Sequence, residues 1–491
     1  MRRIIQTLFI MLLALMPLSA FAQSNVNGSS FQVQNLSDTQ PANIVITYYA
    51  ADGAVSATQN GVVPAGGSLT YFNGQGGTLA MSAPAGFKGS VVISSDQPVA
   101  AIVNLLATGN SGEAYSGFSI GTSSAQLPLI LKGNTNALGE SLNTTFSVQN
   151  TGSAATTVNV SYTPGSAGTA ATEGPVAIAP GASALFTQAT NANLGTRFVG
   201  SAKVTAAAGG SIAVTVQQES TTQLLSYGGF GDGATSVAAP LIMANNFGNF
   251  TSLNLQNTGA ANAAVTITYT PNAVTTGEGS QAVCATPPVA TFNLAAGASK
   301  VLIQSNLGSA ADGFDPFFAT CRYVGGATIA SVGSPIVAVV NQVATNNKNA
   351  SAYEGFAISS ATRTSKAPLV FANNYGNISS VQVQNVGSTA TTVTLTYAPN
   401  TVGQDPGAAA PCPTPTAKTN IPLAVGASIT FLQSGAGSAA DGFDAQFATC
   451  RYVGSATVTA ANTSDKIVAI VNQVILGGGN DSLFTYNSFN Q

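Results

Sequence analysis

Val265-Thr266-Ile267-Thr268-Tyr269 alternates apolar, mostly β-branched residues with threonine, and Val158-Asn159-Val160-Ser161-Tyr162 and Val393-Thr394-Leu395-Thr396-Tyr397 follow the same pattern. Ile44-Val45-Ile46-Thr47-Tyr48 nearly matches it. A period of two puts alternate side chains on opposite faces of an extended chain, which predicts strands with one buried and one wet face. Upstream of these runs stand Val33-Gln34-Asn35, Val148-Gln149-Asn150, Leu255-Gln256-Asn257 and Val383-Gln384-Asn385. The Asn-x-Gly elements Asn150 to Gly152, Asn257 to Gly259 and Asn385 to Gly387 tolerate positive φ and read as turns between strands. Downstream come turns at Pro64 to Ser68, Gly181-Ala182-Ser183, Gly297-Ala298-Ser299 and Gly426-Ala427-Ser428. Then follow nearly continuous apolar runs, Val99 to Val103, Ile212 to Val216, Ile336 to Val340 and Ile467 to Val471, which read as strands buried on both faces. Each series ends on Tyr-x-x-Phe, at Tyr115, Tyr227, Tyr353 and Tyr486.

Such fixed-order self-similarity marks one folding unit used repeatedly. The glutamines of the Val-Gln-Asn copies lie 115, 107 and 128 positions apart, a spacing that suits one immunoglobulin-sized sandwich per copy. No helical period runs over a dozen residues after the N-terminal segment. The expected fold is all-β, a tandem array of four immunoglobulin-like antiparallel β-sandwich modules at 23–121, 122–233, 234–361 and 362–491. The last three open with Pro128-Leu129, Pro240-Leu241 and Pro368-Leu369. Only Gln23 to Ser30 precede the core of the first, so it is expected to lack one edge strand. That makes it a blunt end cap or, alternatively, an acceptor for another chain's strand.

Residues 1–22 read as a secretory signal peptide. Arg2 and Arg3 form the basic region, Ile4 to Leu18 the apolar region, and Ala20-Phe21-Ala22 the small-residue cleavage site. The apolar run is short for a transmembrane helix, and no membrane span is expected after cleavage. The expected location is the extracellular cell surface. Losing Arg2 and Arg3 moves the net charge from −3 to about −5. Charged residues are 6% of the chain against 45% hydrophobic ones, and there is no His or Trp. The apolar content is enough for packed cores, and the surface must be Ser, Thr, Asn, Gln and Gly. A nucleic-acid partner is not expected, because no basic face exists to neutralise phosphates.

Cys284 and Cys321 are 37 residues apart, Cys412 and Cys450 are 38 apart, and the second of each pair stands in Phe-Ala-Thr-Cys-Arg-Tyr. In an exported chain the duplicated pairs imply one disulfide in each of the last two modules. Zinc is disfavoured by the absence of His and of metal-knuckle spacing. Before each second Cys stands Asp-Gly-Phe-Asp, at Asp312 to Asp315 and Asp441 to Asp444. The four aspartates are the calcium candidates, set against capped surface turns. A second recurring element is an Asn-rich loop, Asn245-Asn246-Phe247 and Asn373-Asn374-Tyr375. Amides beside an aromatic ring can bind sugars, so these six residues are the candidate glycan-binding set, set against a connecting loop packed on its own module. No catalytic residue and no cofactor are expected. Without His a Ser-His-Asp triad cannot form, and the acids are not paired as a glycosidase needs. Arg197-Phe198, Arg322-Tyr323 and Arg451-Tyr452 recur at one strand position and read as structural stacking contacts.

The order Asn-x-Gly, Val-x-Ile-x-Tyr, Gly-x-Ser resembles the CARDB-like group, the cell-adhesion-related immunoglobulin-like domains of bacteria. It also looks like the tandem sandwiches of bacterial surface-layer and sheath proteins. The resemblance implies an extracellular sandwich array and supplies no functional residue to carry over. The function expected is that of a secreted, non-enzymatic structural or adhesive protein of a bacterial cell surface, with sandwiches spaced along the chain. The alternative is an extracellular carbohydrate-binding protein using the Asn/aromatic loops. Expected partners are cell-surface polymers or glycans, or copies of the chain itself.

Overall fold

The computed structural model describes residues 26–72, 79–107, 111–136, 138–272, 281–285, 287–305, 307–308, 310, 313–345, 348–400, 409–475 and 481–491. Residues 1–22, which the sequence reads as a signal peptide, lie outside them. Eight antiparallel sheets account for the named strands among the described residues, and every sheet takes its strands from one of the ranges 26–116, 124–228, 236–357 or 364–490. Two sheets come from each range, and each such pair is called a unit.

The second unit shows the plan. Its first sheet runs Ser183–Thr187, Ser141–Asn150, Ile212–Glu219, Leu224–Gly228, and its second runs Ala171–Ile178, Thr156–Ala167, Phe198–Ala206, Ser124–Lys132. The strand carrying Val-Gln-Asn, the Gln strand, is thus central in the first sheet, beside the apolar run. The segment with Pro128-Leu129 is the opening strand, at the edge of the second sheet, and the segment ending at Tyr-x-x-Phe is the closing strand, at the edge of the first. Alternation has the predicted consequence: Val158, Val160 and Tyr162 are buried, and Asn159 and Ser161 face outward. Burying each such Val or Ile contributes about 1.5–3 kcal/mol, and the core draws on both sheets through Phe146, Val148, Val204 and Val216.

The asparagine of Val-Gln-Asn staples the following turn. Asn150 Nδ2 donates to Ala154 O (2.8 Å) and Ile178 O (3.0 Å), while Gly152 N donates to its Oδ1 (2.9 Å). Asn257 and Asn385 repeat all three bonds. The closing-strand tyrosine locks the opening strand: Tyr227, Tyr353 and Tyr486 donate their hydroxyls to Leu129 O (2.7 Å), Leu241 O (2.6 Å) and Leu369 O (2.6 Å). Disulfides join Cys284 to Cys321 and Cys412 to Cys450, and closing loops of that length contributes about 4 kcal/mol each on a chain-entropy argument.

The first unit departs from the plan. Its second sheet has three strands, Val55–Val63, Ala42–Ala50 and Gly89–Ser95, and no described strand lies on the far side of Gly89–Ser95.

A string of spaced units would keep the first and last apart; here they touch. Ser90 Oγ donates to Gly181 O (2.6 Å) from unit 1 to unit 2, and Ser201 Oγ to Gly297 O (3.0 Å) from unit 2 to unit 3. Between units 3 and 4, Ser428 Oγ donates to Asn272 Oδ1 (2.9 Å). Between units 4 and 1, Ser68 Oγ donates to Asn400 Oδ1 (2.9 Å) and buried Lys366 pairs with Asp38 at 2.7 Å. The units close into a ring.

Candidate functional site

The ring has an axis, formed by the closing strands Gly112–Ser116, Leu224–Gly228, Ala350–Glu354 and Leu483–Asn487, each beside the next and the last beside the first. Each is the edge strand of its sheet, so one row of backbone groups has no strand partner. The sequence places three of its few acids here, and they take those donors level by level. Glu113 Oε1 accepts from Ala114 N (2.7 Å), Thr485 N (2.9 Å) and Ser351 Oγ (2.8 Å). Its Oε2 accepts from Ala352 N (3.1 Å) and Ser226 N (3.4 Å). Ala114, Ser226, Ala352 and Thr485 are the residues just before the four tyrosines. One carboxylate therefore takes an equivalent N–H from every unit.

Two residues earlier, Asp481 accepts from Leu224 N (2.9 Å), Ala350 N (2.9 Å) and Leu483 N (3.5 Å), and its backbone carbonyl accepts from Gly112 N (3.1 Å). Two residues later, Gly228 N donates to Glu354 Oε1, Glu354 N donates to Asn487 Oδ1 (3.1 Å), and Ser116 Oγ donates to Asn487 O (2.8 Å). The same order of levels on all four strands makes them run in one direction about the axis. Convergent N–H groups form an anion-binding concavity, and the protein's own acids fill it. Glu113 and Asp481 are fully buried. Loss of water pushes the carboxyls of Glu113 and Asp481 well above their ordinary range, against the pull of their N–H donors, and raises Glu354 in the same way.

The candidate glycan loops are tied into their own units. Asn245 Nδ2 donates to Phe318 O (2.8 Å) and Cys321 O (2.9 Å), and Asn246 Oδ1 accepts from Arg322 Nε (2.8 Å). The Arg322 guanidinium lies over the Phe247 ring at 4.8 Å. The fourth unit repeats this, with Asn373 on Phe447 O and Cys450 O, Asn374 on Arg451, and Arg451 over Tyr375 at 5.8 Å. Asn245, Phe247, Asn373 and Tyr375 all have positive φ, so the turn is tight. Their amides are largely committed to the protein, while the Tyr375 ring is 60% exposed and Phe247 39%.

The acidic turns separate likewise. Asp315 and Asp444 cap short 3-10 turns by accepting from Phe317 N (3.0 Å) and Gln446 N (3.2 Å), and Asp444 also pairs with Lys418 at 3.0 Å. Asp441 pairs with Arg322 of the third unit at 3.5 Å. Asp312 lies outside the described residues. Among the described residues no three His, Cys, Asp or Glu side chains converge as metal ligands. A recess of about 360 Å³ between units 1 and 2 is lined mainly by alanines with Ile178 and Asp52.

The axial acids escaped sequence reasoning, although a signal existed: Glu113 stands two residues before Tyr115, Glu354 directly after Tyr353, and Asp481 five before Tyr486. No model of a known protein family matches the chain, and no curated protein matches it either.

Proposed function

We propose that this is a secreted, non-enzymatic structural or adhesive protein of a bacterial cell surface, akin in design to the CARDB-like sandwiches it resembles. One observation carries the reading: the rare charged groups serve cohesion between units. Glu113, Asp481 and Glu354 join closing strands, while Arg322, Lys348 and Lys366 bridge successive units or the ring closure. Such an arrangement gives rigidity and leaves Ser, Thr, Asn and Gln for contact with polymers or other copies. The disulfides suit an oxidising compartment, and no described helix is long and apolar enough to cross a membrane. Fractionation of the native cells followed by electron microscopy tests the reading. Ordered material at the surface supports it, and a freely dispersed monomer with no surface association contradicts it.

The exposed Tyr375 and Phe247 rings favour a second reading, recognition of glycans by the Asn-rich loops of units 3 and 4. Saturable binding on a glycan panel, lost in Tyr375→Ala and Phe247→Ala, supports that reading. Absence of binding leaves cohesion and adhesion alone.

A further inference from the structure

One side of unit 1 shows side chains that the other units bury beneath a strand. In units 2, 3 and 4 the opening strands Ser124–Lys132, Ser236–Ala244 and Thr364–Ala372 pair with Phe198–Ala206, Tyr323–Val332 and Tyr452–Ala460. Under that cover Val204, Ile329 and Val458 are at most 1% exposed, and so are Tyr227, Tyr353 and Tyr486. Strand register makes Ile93 the counterpart of those three aliphatic residues, and Tyr115 is the counterpart of the tyrosines. Ile93 and Tyr115 are only half-buried, as is Val103, whose counterparts Val216, Val340 and Val471 are fully buried. Phe118 and Ile120 are 39% and 77% exposed, whereas Phe356, the counterpart of Phe118 in unit 3, is buried and pairs with Ala238 of the opening strand.

The backbone of this side is open as well. Gly89–Ser95 pairs with Ala42–Ala50, and no described strand lies on its other edge. A row of unpaired N–H and C=O groups beside an apolar floor is a template for one more strand. Among the described residues the Tyr115 hydroxyl has no partner, while Tyr227, Tyr353 and Tyr486 each donate to a Leu carbonyl.

Three covered copies of the slot define what fits it. Each opening strand is nine residues long, with Pro-Leu at its fifth and sixth positions, and the sixth supplies the carbonyl for the tyrosine. The inner side must therefore be apolar. The outer side meets unit 2, and there the surroundings differ. Ile102, Val339 and Ile470 each enter the core of the preceding unit, but Thr215 holds that place in unit 2. Gln32 and Gln382 donate to the Pro carbonyl of the strand they cover, and unit 2 has half-buried Ser147 instead. A polar outer side suits this face. All the named strands of the chain already lie in sheets, so a second copy has none to lend without opening one of its own units.

We propose that unit 1 receives an extended, amphipathic segment of a different polypeptide, which adds to Gly89–Ser95 as an opening strand. Backbone pairing supplies affinity, and Ile93, Val103, Tyr115, Phe118 and Ile120 select apolar residues on its inner side. Such a site is independent of the adhesive reading.

Amide hydrogen exchange on the chain from Gln23 onward tests it, with a synthetic peptide of residues 364–372 as the probe. That sequence fills the equivalent slot of unit 4 and begins with polar residues. Saturating peptide should slow the open-side amides of Gly89–Ser95 about tenfold and leave Phe198–Ala206, Tyr323–Val332 and Tyr452–Ala460 unchanged. The same peptide with Leu369→Asp should give no protection. Tyr115→Phe, which keeps the ring, should weaken binding about fivefold, as loss of one hydrogen bond does. No protection at millimolar peptide overturns the proposal. Protection present without peptide overturns it too: if dilution removes it, a second copy covers the edge, and if dilution does not, the chain covers its own edge.

Discussion

The junction between units 3 and 4 and the junction between units 1 and 2 use equivalent strands but enclose different things. At the former, Val468 and Ile470 of unit 4 belong to the core of unit 3, and Gln382 Nε2 donates to Pro240 O of the opening strand at 3.0 Å. Closure of units 4 and 1 follows the same rule: Ile102 joins the core of unit 4, and Gln32 donates to Pro368 O. Each opening strand is thus covered by the next unit's first sheet. At the junction of units 1 and 2 there is no described opening strand to cover, and Ser147, Gln149 and Thr215 are half-buried polar residues. The lesson is that one strand can shape two units. Where an opening strand is described, the next unit meets it with an apolar face, and where none is described among the residues of unit 1, the neighbouring face of unit 2 is polar.

The ring should hold despite that weak junction because Glu113 ties all four closing strands. Glu113→Ala orphans four N–H groups at about 1–3 kcal/mol each, so a loss of roughly 5 kcal/mol or more in chemical denaturation is expected. Formate or acetate should recover part of it by occupying the vacated position. A loss below about 1 kcal/mol would show that the junctions suffice without the axis. Next in size are the disulfides, found only in units 3 and 4: Cys321→Ser and Cys450→Ser should each cost about 4 kcal/mol, read as a lower unfolding midpoint while units 1 and 2 keep theirs.

Ile470→Ala should then cost about 3 kcal/mol through the cavity it leaves in a shared core, and Thr215→Ala should cost under about 0.5 kcal/mol. Equal effects would erase the contrast between the junctions. The smallest effect is that of pH. Burial raises Glu113, Asp481 and Glu354 in the folded protein. Their stabilising contribution is therefore complete below the unfolded carboxyl value of about 4 and declines as pH rises through the folded values. Calorimetry should find a lower Tm at pH 8 than at pH 5. Glu140, held low by Lys348 against its own desolvation, stays ionised throughout that window and does not mask the trend. A Tm that rises with pH contradicts the assignment.

Strand pattern and turn chemistry were legible because both are local. Period-two alternation reports which face of Val158–Tyr162 is buried, and Asn-x-Gly reports a turn whatever surrounds it. The Cys pairs were legible because the duplication repeated their surroundings. The ring was not, since its bonds join residues as distant as Glu113 and Thr485, and the partners of Glu113 are mostly backbone N–H groups that any residue supplies. The Asn-rich loops show the opposite difficulty. Their composition suits sugar binding, yet Asn246 and Asn374 accept from Arg322 and Arg451, residues that follow the cysteines some 75 positions later. Composition cannot tell an amide awaiting a ligand from one already bonded.

The central claim is that the units close on themselves around buried acids. Small-angle X-ray scattering of the chain from Gln23 onward measures this directly. A closed ring of this length should give a radius of gyration near that of a single compact body, about 23 Å. A radius roughly twice that value, as expected of units strung end to end, would contradict the closed ring.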